Sequence, residues 1–393
     1  RCRINVYRTV RGLALAILFP VLGLLIAIGV YALTCRLARS RLAGYIATGL
    51  LVFSPSFVLY ENWLMYSFPA VALLTLSALA LYQYVHTLRT GWCVAFFVLL
   101  AALLLTRSLF HLAWMVLVVG LLAIVMREHW RQVLKAAVIP VLIVALWYGK
   151  NYYLFGFFGA SSWMGLGLSN IATLVPTREE LQPLVDDGRL SRYALVSRYR
   201  QMDQLFAHPK PPTGIPVLDE IAKTTGEFNF NNQQIIDVNR QYAADAFTVI
   251  RTYPYSYVVG LTISNRLFFS PSSMNLYFSP RNREAVRPME AIFNPLLYGV
   301  GGEAGRLRQP HFGFNHDMTL EVNTSVPLII AWCLVLGYGY YQFRQGLIHK
   351  PRGELPRTLA IGFIVMTALY LYVVGTALEL AENYRYRFLI EPL

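Results

Sequence analysis

A succession of apolar runs, each close to membrane-spanning length, constrains this chain more than any other feature. A helix needs roughly 20 apolar residues to cross the hydrocarbon core of a bilayer. Runs of that kind predict helices at about 12–35, 42–59, 65–85, 92–106, 109–126, 134–151, 326–343 and 358–379, with another starting at 388. Of the 393 residues, 56% are hydrophobic, which excludes an ordinary soluble domain. The expected fold class is an all-α polytopic membrane protein. The four cysteines make no disulfide framework: Cys35, Cys93 and Cys333 fall in or at the ends of apolar runs, and Cys2 stands alone. No stretch has the form of a cleavable signal peptide. The chain starts without Met and stops at RFLIEPL, just as an apolar run begins, so a fragment lacking both ends is expected.

The net charge of +13 is unevenly spread. The polar stretch 152–325 holds 15 Lys/Arg and 15 Asp/Glu, whereas the rest holds 19 basic and 6 acidic residues. Those basic residues flank apolar runs, so they report topology and lipid head groups rather than nucleic acid. Arg36, Arg39 and Arg41, then Arg89, then Arg127, Arg131 and Lys135, then Arg344, Lys350, Arg352 and Arg357 alternate with the spans and define one face, expected to be cytoplasmic. The opposite face receives the N-terminal stretch, the turns at 60–64, 106–108 and 380–387, and all of 152–325. The expected organisation is a bundle of about six spans over 1–151, an extracytoplasmic region over 152–325, and C-terminal spans over 326–393.

Both ends of 152–325 lie on the same face, so this region crosses the membrane zero or two times. The apolar segment 255–270 carries Arg266 and many polar residues, and reads as an interfacial or re-entrant helix. Residues 233–252 show helical spacing of Ile235, Ile236, Tyr242, Ala246, Phe247 and Ile250, with Pro254 as the stop. A region this long is more than a connection and is expected to be functional.

Between Trp92 and Met126, 35 residues run with only Arg107 and His111 as basic groups. One helix of that length would span roughly 52 Å, too long for a core of about 30 Å. The run therefore predicts a hairpin turning at Thr106-Arg107-Ser108, with the turn at or below the membrane surface. An arginine there either snorkels to the interface or faces protein, water or an anion. The same face collects other unusual charges. Glu61 is the only acidic residue among the first 127, and the last outer turn carries Glu382, Arg385 and Arg387 among aromatics. Arg1, Arg3, Arg8, Arg11 and Lys150 add to them, giving eight basic residues at one interface. Guanidinium groups clamp phosphate bidentately, so a lipid phosphate is the natural ligand for such a face.

These residues resemble the polytopic glycosyltransferases of the GT-C superfamily, in the family 39-like branch of protein O-mannosyltransferases and bacterial lipid A aminoarabinose transferases. The resemblance lies in the Arg-rich inner turn (Arg36, Arg39, Arg41), Ser54-Pro55 followed by the acidic outer turn at Glu61, LLTRSLFHLAW (104–114), KNYYLFGFFGASSWMG (150–165) and, most specifically, ENYRYRFLIEP (382–392). It implies a GT-C-like helical bundle with a large mixed extracytoplasmic loop region. It also implies transfer of a sugar from a polyprenyl-phosphate carrier to a lipid, glycan or protein acceptor, outside a bacterial plasma membrane. In that chemistry a carboxylate takes the acceptor's proton, and basic groups, in some members with a divalent cation (Mg or Mn), hold the leaving phosphate. The residues implied are Arg107, Arg385, Arg387 and His111 at the lipid phosphate, Glu61 as a carboxylate of the site, and Trp163 and Glu382 at sugar or acceptor. The family's key acidic motif lies in its first outer loop. This chain begins after that loop, so the main base is expected upstream of it.

Competing readings accompany these residues. His111, one turn after Arg107, is read as sharing its helix face; it assists the phosphate or is a packed histidine. Trp163 stacks a sugar or anchors at the interface. His311, His316 and Asp317 match no standard metal-ligand spacing, NNQQ (231–234) reads as a helix start, and Asn323-Thr324-Ser325 has the form of a glycosylation acceptor but lies tight against a span. A lipid or solute transporter or flippase is the alternative function. Its charges would gather near the bilayer midplane with paired repeats, neither of which is seen here. A polysaccharide ligase or polymerase is a third option.

Overall fold

The computed structural model describes residues 2–196, 206, 210–299, 305–308, 319–349 and 353–393, with backbone alone for 2–13, 305–308 and 319–321. The first part is a run of long helices: α1 (Cys2–Ala38), α2 (Arg41–Val52), α3 (Pro55–Glu61), α4 (Ser67–Thr87), α5 (Thr90–Thr106), α6 (Leu112–Val125) and α7 (Trp130–Phe155). Shorter elements follow: α8 (Met164–Ala172), α9 (Arg178–Asp186), α10 (Pro216–Asp219), α11 (Ile235–Thr252), α12 (Pro254–Phe268) and α13 (Pro280–Phe293). An antiparallel ribbon pairs β1 (Gly305–Arg308) with β2 (Thr319–Val322), and α14 (Val326–His349), α15 (Leu355–Leu378) and α16 (Asn383–Phe388) close the chain.

Among the described residues five helices are long and apolar enough to cross a membrane, or six if α2 and α3 form one bent span. The chain is a multi-pass membrane protein. The single span expected over 42–59 is broken by 61° between α2 and α3. Pro55 cannot supply the amide that a continuous helix needs there, and Ser54 Oγ caps the new helix by accepting from Phe57 N at 3.1 Å. Residues Thr90–Thr106 and Leu112–Val125 form the two short apolar helices expected on either side of the turn at Arg107, and each packs chiefly on α7 rather than on the other. With 14 residues, α6 is roughly 21 Å long, short of a core of about 30 Å. At the place where a span was expected to start, α16 ends at Phe388 and residues 389–392 continue as turns whose amides bond carbonyls three or four residues back.

Contacts sort the helix ends into two groups. At the arginine-rich end, Arg39 pairs with Glu354, which also meets Arg357 at 3.6 Å, so the α1–α2 and α14–α15 connections are neighbours. Gln132 of α7 donates to Leu88 O at 3.0 Å and Thr90 Oγ1 at 2.8 Å, which brings the α4–α5 turn beside the start of α7. At the opposite end lie the α3–α4 turn, the α5–α6 turn, the α15–α16 junction and the layer built by 156–325. Outward faces are apolar, as on α14, where only Gly339 is buried. Such a face suits lipid, which does not penalise exposed leucine as water does.

The layer over 156–325 is mostly helical. The expected helix over 233–252 is α11, and the segment at 255–270 is α12, 15 residues long. Asn232 Oδ1 accepts from Gln234 N at 2.9 Å, so NNQQ does start a helix. The layer is docked on the bundle through α8 and α12. Ser256 Oγ donates to Ala172 O at 2.6 Å, Tyr257 Oη to Ala377 O at 3.0 Å and Ser264 Oγ to Glu379 O at 3.1 Å. The bonds from Tyr257 and Ser264 fix the end of α15, from which the site is built, while Ser256 ties α12 to α8.

Candidate functional site

The α5–α6 turn runs from Arg107 to His111. Irregular backbone at this depth needs protein partners, because lipid offers none. Tyr370 of α15 supplies them: its hydroxyl donates to Leu109 O at 2.7 Å and accepts from His111 N at 3.3 Å. Arg107, at the C-cap of α5, is 4% exposed. Its guanidinium lies between the rings of Tyr66, at 4.7 Å, and Tyr386, at 4.9 Å, and reaches Glu382 Oε2 at 3.7 Å.

Arg385 arrives from α16. It is 2% exposed; its Nη2 donates to Tyr66 Oη at 2.8 Å and to the Glu382 carboxylate. Its Nε and Nη1 are buried with no hydrogen-bond acceptor among the described residues. Burial opposes the charge on Arg385, and Glu382 beside it more than restores it. One carboxylate thus serves two guanidinium groups, and two of the three nitrogens of one guanidinium are unused. Leaving such groups unpaired away from water costs free energy, so this arrangement favours an anionic ligand with free oxygens.

The junction between α15 and α16 turns both of its carboxylates into this region. Ala381 adopts φ 86°, which a residue with a Cβ rarely does. It is held by Asn383 Nδ2, which donates to Gly375 O and Glu379 O at 3.0 and 3.1 Å, and by the Leu380 amide on Glu379 Oε1 at 3.1 Å. Glu379 lies over α8: a Cβ placed on Gly167 would come within 2.8 Å of Glu379 Oε2. Burial, with Glu382 adding to it, pushes the Glu379 carboxyl up to about 8. Tyr66, 37% exposed, and Tyr277, 41% exposed, keep accessible surface beside these buried charges. The result is a buried cationic cluster, Arg107 and Arg385, with carboxylate side chains beside it and partly exposed tyrosines above it, and the region between them is called the cleft below. Trp63 lies with its ring 5.9 Å from the Arg385 guanidinium and stacks on Tyr277 at 6.3 Å.

Of the residues singled out in the sequence, the fold brings Arg107, Arg385 and Glu382 together. Arg387 faces elsewhere: it pairs with Glu391 at 3.2 Å and donates to Ser270 O at 2.7 Å and Ser272 Oγ at 2.8 Å. That network pins the chain after α16. Glu61 ends α3 with its carboxylate against Gly23 of α1, and has no hydrogen-bond or ion-pair partner among the described residues. His111 does not share a helix face with Arg107, because both belong to the turn. Its Nδ1 caps α6 by accepting from Ala113 N at 3.2 Å, and its ring meets Tyr148 at 5.3 Å. Trp163 packs on Phe230 at 5.5 Å, in the layer over the bundle. His311, His316, Asp317 and the side chains of Arg1, Arg3, Arg8 and Arg11 lie outside the described residues.

The sequence reading missed Glu379, Tyr66, Tyr277 and Tyr386. A usable signal existed for Glu379: it stands three residues before Glu382, at the end of an apolar run. Among the described residues no group of three or more His, Cys, Asp or Glu converges, and Glu382 is already held by two arginines whose charge repels a cation. Comparison with protein-family models, curated proteins and solved structures returns no match.

Tyr66 gives a graded test of the floor. In Tyr66→Phe the ring under Arg107 stays and the acceptor for Arg385 Nη2 is lost. A hydrogen bond to a charged group is worth about 1.5–3 kcal/mol. Affinity for a phosphate ester is expected to change at least several-fold in titrations of the purified protein, with insertion and folding retained; unchanged affinity would remove Tyr66 from the site.

Proposed function

We propose that this protein is an integral-membrane glycosyltransferase that moves a sugar from a polyprenyl-phosphate carrier to an acceptor at the extracytoplasmic face, with the cleft of Arg107 and Arg385 holding the carrier's phosphate. One observation carries the reading. A fully buried arginine with two unused donor nitrogens stands beside a second buried arginine, at one end of a membrane bundle, under accessible aromatic side chains. Phosphate oxygens would complete the donors of Arg385, and Tyr277 and Trp63 offer the flat faces on which sugars stack. As the glycosidic bond breaks, the phosphate gains negative charge, and fixed guanidinium groups in a water-poor cleft stabilise that charge. The resemblance of 382–392 and 104–114 to the GT-C superfamily points the same way, and the arginine-rich end is the cytoplasmic face on this reading.

The roles differ among the residues. Arg107 and Arg385 hold phosphate, Glu382 positions both arginines, and Trp163 lies farther out as an interfacial anchor. Glu61 faces α1, so Glu61→Gln is expected to keep sugar transfer within a few-fold of the parent. A loss of a hundredfold or more in that variant would instead place carboxylate chemistry on α3.

Product analysis separates transfer from transport. The protein is reconstituted with a donor labelled in both sugar and lipid. Release of free polyprenyl phosphate in step with sugar transferred supports the reading. Movement of intact lipid-linked sugar across the bilayer, without cleavage, would replace it with the flippase.

A further inference from the structure

We infer that the cleft takes its phosphate ester only with a proton on Glu379, so that anion binding and protonation of this carboxyl are one coupled event. The inference rests on the reading of the cleft as a phosphate site and adds the ligand's charge class.

Charge within this cluster sets the ligand it accepts. Arg107 and Arg385 are cations, and both are answered by the same Glu382 carboxylate. With Glu379 protonated, the cluster carries one positive charge in excess, and Arg385 keeps two unused donors. That combination matches a monoanion with at least two free oxygens, which is a phosphodiester such as a lipid-phosphate-linked sugar. With Glu379 ionised, the cluster is neutral before any ligand arrives, and a phosphate would meet two carboxylates as well as two arginines.

The surroundings of Glu379 favour the protonated form. Glu382 and Arg385 face it from α16, together with Tyr386, and Arg107 faces it from the α5–α6 turn. Tyr277 and Tyr66 stand on the outer side. From α8 comes the backbone of Gly167, and from α12 the Ser264 hydroxyl, which bonds the Glu379 main-chain oxygen. The Leu380 amide donates to the carboxyl at 3.1 Å. Its elevated value, about 8, follows from this burial and from Glu382. A bound anion adds negative charge nearby and raises it further, so binding is strong below that pH and weakens above it.

The test titrates two phosphodiesters whose charge is constant across the range: farnesyl methyl phosphate, and dimethyl phosphate as the head group alone. Between pH 7 and pH 9 the parent protein is expected to lose about tenfold in affinity, the fall produced by one group ionising near 8. Glu379→Gln is expected to bind at both pH values with no such fall. Calorimetry at pH 8.5 in buffers of different ionisation enthalpy gives a second readout on the parent alone, and proton uptake on binding is expected. A flat affinity profile, a fall that persists in Glu379→Gln, or binding without proton uptake would overturn the inference. Binding of the farnesyl ester alone assigns the ligand to lipid, and binding of both esters assigns it to the phosphodiester group itself; the proton linkage is expected in either case. Unchanged binding in Arg385→Ala would instead defeat the phosphate-site reading on which it rests.

Discussion

Arg385→Ala is expected to reduce sugar transfer by a hundredfold or more. Two effects add. The phosphate loses a charged donor that strengthens as the bond breaks, a loss of roughly 10²–10³ in rate where a single such donor is removed. Glu382 also loses its shorter ionic partner but keeps Arg107 at 3.7 Å, so the cost stays below the roughly 3–5 kcal/mol of leaving a buried charge unpaired. Because the second effect lowers stability as well as activity, Arg385→Lys is the informative companion. Lysine keeps the charge beside Glu382 but has no fork with which to reach Tyr66, Glu382 and a phosphate together. The lysine variant should insert and fold like the parent while transfer falls well over tenfold. Transfer at parental rate in both variants would show that the phosphate is held elsewhere.

The second large effect concerns the layer over the bundle. Gly165, in the first turn of α8, faces the backbone of α11, where a Cβ would collide with Asn239 O and sit 2.9 Å from Ala243 N. Neither atom belongs to a flexible side chain, so the two helices must separate. Overpacking of this kind typically costs about 1–3 kcal/mol, more where backbone is the obstacle. Gly165→Leu is expected to open this layer to limited proteolysis at least tenfold faster, while the long helices still insert. Transfer should fall with it, because the same helix carries Gly167 under Glu379. Gly149→Ala, at a position with open space around it, is the control and should behave as the parent. Equal protease resistance in both variants would show that the close crossing of α8 and α11 does not hold the layer together.

The apolar helices were legible in the sequence because each lipid-facing helix must be apolar over its whole length, but length overcounted the spans, since α2 and α3 are bent and α5 and α6 are short. The turn at Arg107 was legible too, since 35 residues are too many for one span and adequate for two short ones. The bend at Pro55 was hidden inside an apolar run, where hydropathy carries no signal of direction. The site was legible in half. Arg107, Arg385 and Glu382 drew attention because a charge at a membrane interface is costly and rare. The partners that make a cleft of them are tyrosines from distant turns, and a tyrosine at a membrane interface looks the same whether it anchors or lines a site. Arg387 and Glu61 show the converse: both stand beside site residues in sequence, and a single turn of helix aims them away. His111 was assigned a helical neighbour that the turn geometry does not provide.

The central claim, that a lipid phosphate sits in the cleft at the α15–α16 junction, is tested most directly by photoaffinity labelling. A polyprenyl phosphate bearing a photoreactive group near its head is irradiated with the reconstituted protein, and the labelled peptides are mapped. Labels are expected in the peptides containing Trp63 and Tyr66, Arg107 and residues 379–388, all displaced by excess unlabelled polyprenyl phosphate and absent from Arg385→Ala. Displaceable labels confined to the opposite end of the bundle, around residues 36–41 and 354–357, would contradict it.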